Sequence, residues 1–290
     1  MLMPLLSIFY NRMFKLAKQP REFASNFLVS IPKKGDLWDL DNYRGIAIGS
    51  ALAKLYCLIL LNRLEKKTTV RPISPNQIGF EKGHRTADHV FVLTTVVNKF
   101  LKVAKKRLFV AFIDFKKAYD KINRTLLLLK LQKRGIKGLF YRNLKAIYSD
   151  VSYVIKVKGG YLDPIPSSFG LKQGGVLSPL LFNMFIDDIK DIFDDSCDPV
   201  KMFDTPLSHL LYADDLILMS TSMEGLNKCL EKLRSYCNTW QMEVNIKKSQ
   251  IIVFNSARRL LTGYNFFYGE TKLELVKTYC YLGIEICSGR

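Results

Sequence analysis

Residues 210–220 read LLYADDLILMS, two short apolar runs on either side of the adjacent carboxylates Asp214 and Asp215. Runs this short, rich in Leu and Ile and interrupted by a polar tip, predict strand–turn–strand. Two like charges side by side repel, and each raises the other's pKa. A divalent cation would remove that penalty, because carboxylates at a tight turn can hold Mg²⁺ beside a phosphate. A solvated, idle acidic turn explains the same residues equally well. What else the chain sets beside them decides between the two.

Upstream, residues 108–112 form a continuous apolar run of the kind a fully buried strand shows, and that run delivers Asp114. An ionisable side chain at the end of a buried strand is a better functional lead than one on a helix face. Lys116, Lys117, Lys121 and Arg124 crowd the same segment and would help hold Asp114 ionised. Residues 170–179, GLKQGGVLSP, are a glycine-rich loop ending in a Ser cap and a first-turn Pro, ahead of a helix expected over 180–193. Such a loop lets backbone approach a ligand closely, although turn geometry alone would also explain the glycines. The acidic stretch 187–204, with Asp194, Asp195 and Asp198, is expected to be a solvated connection rather than a metal site.

Further out, apolar spacing predicts a helix over residues 1–18, stopped by Pro20. Others are expected over 51–67, capped by Ser50, and from Thr86 to Ala104, ending in the basic residues 105–107. Helices follow at 126–133 and 139–148. After Ser222, a helix carries Leu226, Leu230, Leu233, Cys237 and Trp240 as a core-facing stripe. Strands are expected at 27–32, within 41–48 where a turn feeds an alternating strand, and at 151–157 before the Gly159-Gly160 turn. The segments 243–254 and 265–286 are β-rich.

The chain has 290 residues, 48% hydrophobic, which is enough for one large domain or two lobes and excludes a disordered or collagen-like chain. Lys and Arg number 44 against 26 Asp and Glu, a net charge of +18 that favours a polyanionic partner. No run approaches the ~18 apolar residues of a spanning helix, so no membrane role is expected. The opening MLMPLLSIFYNRMF lacks a basic n-region and a cleavage site. The six cysteines show no CxxC pair and no zinc spacing. An intracellular chain, nuclear or cytoplasmic and not secreted, with free thiols is the expectation.

Three stretches now suggest one site: Asp114 at a strand end, Asp214 and Asp215 at a hairpin tip, and the glycine-rich loop between them in sequence. Carboxylates from separate strands converging on two Mg²⁺ ions are what in-line phosphoryl displacement requires. At this point the chain resembles a reverse transcriptase of the non-LTR (LINE-type) retrotransposon class. FIDFKKAYD at 112–120 resembles the first catalytic palm motif of that family, GLKQGGVLSPLLFN at 170–183 the second, and YADD at 212–215 the third. NIKKS at 245–249 resembles the fourth, and Tyr281-Leu282-Gly283 the primer-gripping hairpin. PKKGD at 32–36, Asn42-Tyr43-Arg44 and QIGF at 77–80 match the fingers. The match covers nearly the whole chain in order.

The resemblance implies an α+β right-hand polymerase fold, with an antiparallel palm sheet backed by helices. Residues 1–107 would be the N-terminal helix and fingers, and residues 108–290 the palm. The thumb is expected to be absent, and a longer parent polyprotein would supply it and an endonuclease. The activity implied is RNA-directed DNA polymerisation, extending a DNA primer on an RNA template with deoxynucleoside triphosphates. Asp114, Asp214 and Asp215 would be the catalytic, metal-holding carboxylates for two Mg²⁺ ions, with Mn²⁺ as the alternative. Lys33, Lys34 and Arg44 would clamp the triphosphate. Tyr119 would be the gate that rejects a 2′-OH, with Phe115, Gln173 and Gly174 along the nucleotide and Lys248 near the leaving pyrophosphate. Gly45 replaces the family's usual Pro and should loosen its turn. A truncated, non-catalytic nucleic-acid-binding remnant of the same fold is the alternative. Group II intron and telomerase-type enzymes are closer rivals than a viral RNA-dependent RNA polymerase.

Overall fold

The computed structural model describes residues 2–33, 36–39, 42–103, 106–202, 204–256 and 263–288. The chain opens with helix α1 (Leu2–Leu16), the short α2 (Arg21–Ala24), strands β1 (Ser25–Pro32) and β2 (Tyr43–Ile48), and helix α3 (Ala51–Thr68). Helix α4 (Thr86–Asn98) runs into a π turn (Lys99–Val103) ahead of β3 (Leu108–Asp114). Helices α5 (Arg124–Lys133) and α6 (Gly138–Ser149) lead to β4 (Ser152–Val157), β5 (Gly160–Tyr161) and β6 (Ile165–Pro166). Helix α7 (Ser178–Ile186) continues as a 3-10 turn (Asp187–Ile192). Strands β7 (Val200–Met202), β8 (Thr205–Leu207), β9 (His209–Tyr212) and β10 (Asp215–Ser220) precede α8 (Met223–Trp240). The remainder is β11 (Gln250–Phe254), β12 (Phe267–Tyr268), β13 (Thr271–Lys272), β14 (Glu274–Leu275), β15 (Thr278–Tyr281) and β16 (Ile284–Cys287).

These elements sort into two compact units, each assembled from separate stretches: Met1–Pro72 with Tyr119–Phe185, and Ile73–Ala118 with Ile186–Arg290. In the first, β1 pairs antiparallel with β2 and parallel with β4, and the strand order is β2-β1-β4-β5 with β6 also on β4. Tyr10 of α1 stacks on Tyr56 of α3 at 5.6 Å, and the Tyr56 hydroxyl donates to Asn143 of α6 at 2.6 Å. Long aromatic side chains with a hydroxyl suit this role, since the ring fills the core while the tip finds a partner.

The second unit is built on a sheet of order β14-β11-β3-β10-β9, antiparallel except for the β11–β14 pair. Side chains alternate across it. Val110, Phe112, Ile217, Met219 and Ile252 meet Val90, Leu93 and Val97 of α4 together with Tyr281 and Ile286. On the other face α8 packs along β10 and β3, its Leu226, Leu230, Leu233 and Cys237 buried. Burial on both faces is why β3 reads as an unbroken apolar run. Each such side chain contributes roughly 1.5–3 kcal/mol.

Several expectations need correction. The helix from Thr86 ends at Asn98, and the wider π winding that follows brings Phe100 into the core; residues 104 and 105 lie outside the described residues. Ser50 takes the cap position of α3 but makes no side-chain capping bond. Ser178 opens α7 rather than preceding it, its hydroxyl bonded to the Lys172 carbonyl at 2.7 Å. The helix expected to reach 193 tightens at Asp187, and that turn rolls Asp187 inward. Asp187 is therefore only 4% exposed, not solvated, and its carboxylate accepts from the Ser74 amide at 2.6 Å. Asp194, Asp195 and Asp198 are exposed as expected. All six cysteines are free, and among the described residues no helix is long and apolar enough to cross a membrane.

Candidate active site

In the second unit, Asp114 ends β3, Asp215 begins β10, and the two are register partners across an antiparallel pair. Side chains directly opposite in such a pair lie roughly 4.5–5.5 Å apart at Cβ. Asp214 stands at the tip of the β9–β10 turn, which matches the strand–turn–strand expectation. All three are half-buried. Burial first, then the charges of Asp214 and Asp114, pushes Asp215 up to about 7.

The 245–249 loop locks Asp114 from one side. Asn245 donates through Nδ2 to Asp114 Oδ2 at 3.0 Å and through its backbone amide to the Asp114 carbonyl at 2.8 Å. Ser249 Oγ accepts from the Asp114 amide at 3.1 Å. Lys248 sits within this loop, its amide bonded to the Asn245 carbonyl at 3.1 Å. Phe115 is 3% exposed and bridges to Val244. Two of the four cations expected to hold Asp114 ionised are engaged elsewhere. Lys116 pairs with Glu243 at 3.0 Å, and buried Arg124 donates to the carbonyls of Tyr148, Ser167, Phe169 and Gly170.

Tyr281 is only 2% exposed, its ring against Phe112 and its hydroxyl 3.4 Å from His89 Nδ1. Leu282 and Gly283, with φ of 48° and 83°, make the β15–β16 turn beyond it. Burial holds His89 down to about 4, so it is neutral near neutral pH.

The first unit gathers the other expected residues. Tyr119 stacks on Phe182 at 4.6 Å, and its carbonyl accepts from the Leu171 amide at 2.8 Å. Gln173 donates to Asp120 at 2.7 Å, and its carbonyl accepts from Ala47 N on β2, also at 2.7 Å. Gly174, at φ 94°, lies so close that a Cβ would come within 3.2 Å of the Ala47 carbonyl oxygen. Gly174 is thus held by close approach to β2, whereas a Cβ at Gly170 would meet the Asp120 carbonyl oxygen at 2.6 Å. Arg44 is exposed on β2, and the Lys33 amide closes the β1–β2 hairpin on Asn42 at 2.7 Å. Lys34 lies outside the described residues. Gly45 is not in a turn: it pairs with Ser30 inside β2, where a Cβ would meet Leu28 Cδ1 at 2.9 Å.

The sequence places Asn245, Ser249 and Gln77 within motifs but assigns none of them a role. The last accepts from the Ala213 amide at 2.9 Å, beside Asp214. A lone Gln or Asn in a polar loop gives little signal, because its partner lies more than 130 residues away.

Among the described residues, no group of three or more His, Cys, Asp or Glu stands gathered as a metal cage. The donor set nevertheless fits Mg²⁺ in kind, being three carboxylates. Burial first and the two neighbouring carboxylates second raise Asp215, and a cation's field would oppose that push.

Residues 31–286 match the family described as reverse transcriptase (RNA-dependent DNA polymerase). The probable RNA-directed DNA polymerase from transposon BS of Drosophila melanogaster is 30% identical over 84% of this chain and 27% of its own length. The RNA-directed DNA polymerase from mobile element jockey of the same fly is 25% identical over 97% of this chain and 31% of its own. The chain thus spans under a third of the length of these relatives. The apo telomerase of Candida Tropicalis, truncated from its C-terminal domain, superposes with a TM-score of 0.66 at 16% identity. That match covers 97% of this chain and 58% of the telomerase chain, a likeness of α+β fold alone. With its motifs in order from residue 31 to residue 286 and its relatives among non-LTR retrotransposon proteins, the chain belongs to the reverse transcriptase (RNA-dependent DNA polymerase) family.

Proposed function

We propose that this chain is the fingers-and-palm core of an RNA-directed DNA polymerase, extending a DNA 3′-OH on an RNA template with deoxynucleoside triphosphates. One observation carries the reading: Asp114 and Asp215 face each other across β3 and β10, with Asp214 at the turn between β10 and β9. Residues 1–107 take the role of N-terminal helix and fingers, and 108–290 that of the palm. Two Mg²⁺ ions, or Mn²⁺ in their place, would lower the pKa of the primer hydroxyl and neutralise the leaving pyrophosphate.

The chain's own residues do the rest. Asp114, Asp214 and Asp215 present the oxygen ligands, and Asn245 fixes the rotamer of Asp114. Arg44, Lys33 and Lys34 meet the triphosphate as cations. Tyr119, held flat on Phe182, sits under the sugar and rejects a ribose by steric contact. Gln173 and Gly174 bring backbone to the nucleotide, Phe115 seats the strand end beneath it, and Lys248 gives a proton to pyrophosphate. Tyr281 anchors the β15–β16 hairpin from inside, so that Leu282 and Gly283 support the primer.

Primer extension on an RNA template by the wild-type chain and by Asp214→Asn tests this. Extension by the wild type and loss in the variant is the expected outcome, and equal signal from both would sink the assignment. A second reading, a nucleic-acid-binding remnant without catalysis, draws on the +18 charge, which would hold RNA through its phosphates. Salt-dependent RNA binding by folded protein that never extends a primer would favour it.

A further inference from the structure

The turn carrying Asp214 does not hold itself. The β9–β10 ladder ends at the Tyr212–Asp215 pair, leaving Ala213 and Asp214 beyond it, and Ala213 adopts φ 54°, a left-handed conformation that an alanine rarely takes. Another segment meets this tip. The Leu211 amide donates to the Asn76 carbonyl at 2.8 Å and the Ile78 amide to the Leu211 carbonyl at 3.1 Å, laying the chain parallel to β9 at Gln77. Gln77 is 2% exposed. Its Oε1 accepts from the amides of Ala213 and Gly79, both at 2.9 Å, and its Nε2 donates to the Ala213 carbonyl at 3.2 Å.

Gly79 completes the fit, since a Cβ there would lie 2.2 Å from the Ala213 nitrogen. The far end of the segment is bolted by the Ser74 amide on buried Asp187. An ordinary buried amide only has to satisfy its own polar groups. This one spends two of its bonds on the amide and carbonyl of the residue just before Asp214.

We infer that residues 74–79 form a strap that sets the geometry of the Asp214–Asp215 turn, with Gln77 as its positioning residue. The inference rests on the polymerase reading above for its kinetic consequence, but not for its structural one. Holding a reacting group in place matters out of proportion to the bonds involved, because a misplacement of about 1 Å can cost roughly a hundredfold in rate.

Gln77→Met removes all three bonds at similar volume. Hydrogen exchange at the Ala213 amide is expected to quicken by about tenfold or more, while the β10 amides of Leu216 and Met219 stay as protected as before. In primer extension, kcat is expected to fall by about ten- to a hundredfold with the nucleotide KM within about threefold. Gln77→Glu keeps the two acceptor bonds and loses the donor. It should retain protection at Ala213 and lose kcat by a smaller factor, and it carries the test if the Met variant does not fold. Unchanged exchange at Ala213 in Gln77→Met, or unchanged kcat in Gln77→Glu, overturns the strap. A wild-type chain that extends no primer defeats the polymerase reading instead, and the exchange measurement still decides the strap.

Discussion

The two units carry their sheets in opposite ways. The β3–β10–β11 sheet is covered on both faces, so that β3 is buried through Ile113. Along β1 of the other unit, Phe27, Val29 and Ile31 remain 48%, 42% and 49% exposed. The carboxylates ride on the closed sheet, where neighbouring side chains allow little adjustment. Arg44 and the glycine-rich loop belong with the open one, whose side chains have room to conform. The carboxylates are thus set where packing is complete, and Arg44 and the glycine-rich loop where it is looser.

The largest effects should therefore come from the closed sheet. Asp114→Asn is expected to cut primer extension by at least about a thousandfold in a single-turnover assay. Tyr119→Ala in the other unit should instead relax discrimination, raising ribonucleotide incorporation by about ten- to a hundredfold while deoxynucleotide extension persists. A comparable loss of extension in both variants would erase the contrast. For stability, Ile217→Ala should cost about 2–5 kcal/mol in denaturant unfolding, because its fully buried site cannot collapse freely.

A pH series sharpens the comparison further. Asp215 is pushed from 3.8 to about 7, so from about pH 4 to about pH 7 the folded chain keeps a proton there that the unfolded chain gives up. Stability is lost as pH rises through that window. His89 and His209, each held down to about 4 by burial, act the other way, losing stability as pH falls below the ordinary value of 6.5. Comparing the wild type with Asp215→Asn cancels the histidines. The variant's melting-temperature advantage should grow by several degrees between about pH 5 and about pH 8. A difference constant with pH would show that burial and the neighbouring carboxylates do not raise Asp215 in the folded chain. The smallest effect belongs to the open sheet. There Ile48→Thr, at a position 52% exposed, should shift unfolding by no more than about 0.5 kcal/mol.

What could be read from the sequence was what local pattern encodes. The apolar runs flanking Asp214-Asp215, the buried run before Asp114 and the stripe on α8 each announce themselves within a few residues. The Gln77 strap and the Asn245 bond could not be read this way, because each joins residues more than 130 positions apart through one amide. Charge proximity along the chain misled for Lys116 and Arg124, whose partners are set by the fold and not by sequence distance. Asp187 was misread for a related reason: a tight 3-10 turn changes which side of the chain faces inward, and an acidic composition does not show that.

The discontinuity of the units bears on how the chain is made. The first unit is complete once Phe185 has been synthesised, whereas the second has contributed only Ile73–Ala118 by then. Strand β3, almost wholly apolar, therefore emerges about a hundred residues before β10 and still further before β11, the two strands that pair with it. Until they arrive it is an unpaired, sticky edge on the ribosome, the kind of intermediate that chaperones attend and that aggregates without them. The strand that carries the first carboxylate thus waits about a hundred residues of synthesis for its first ladder partner.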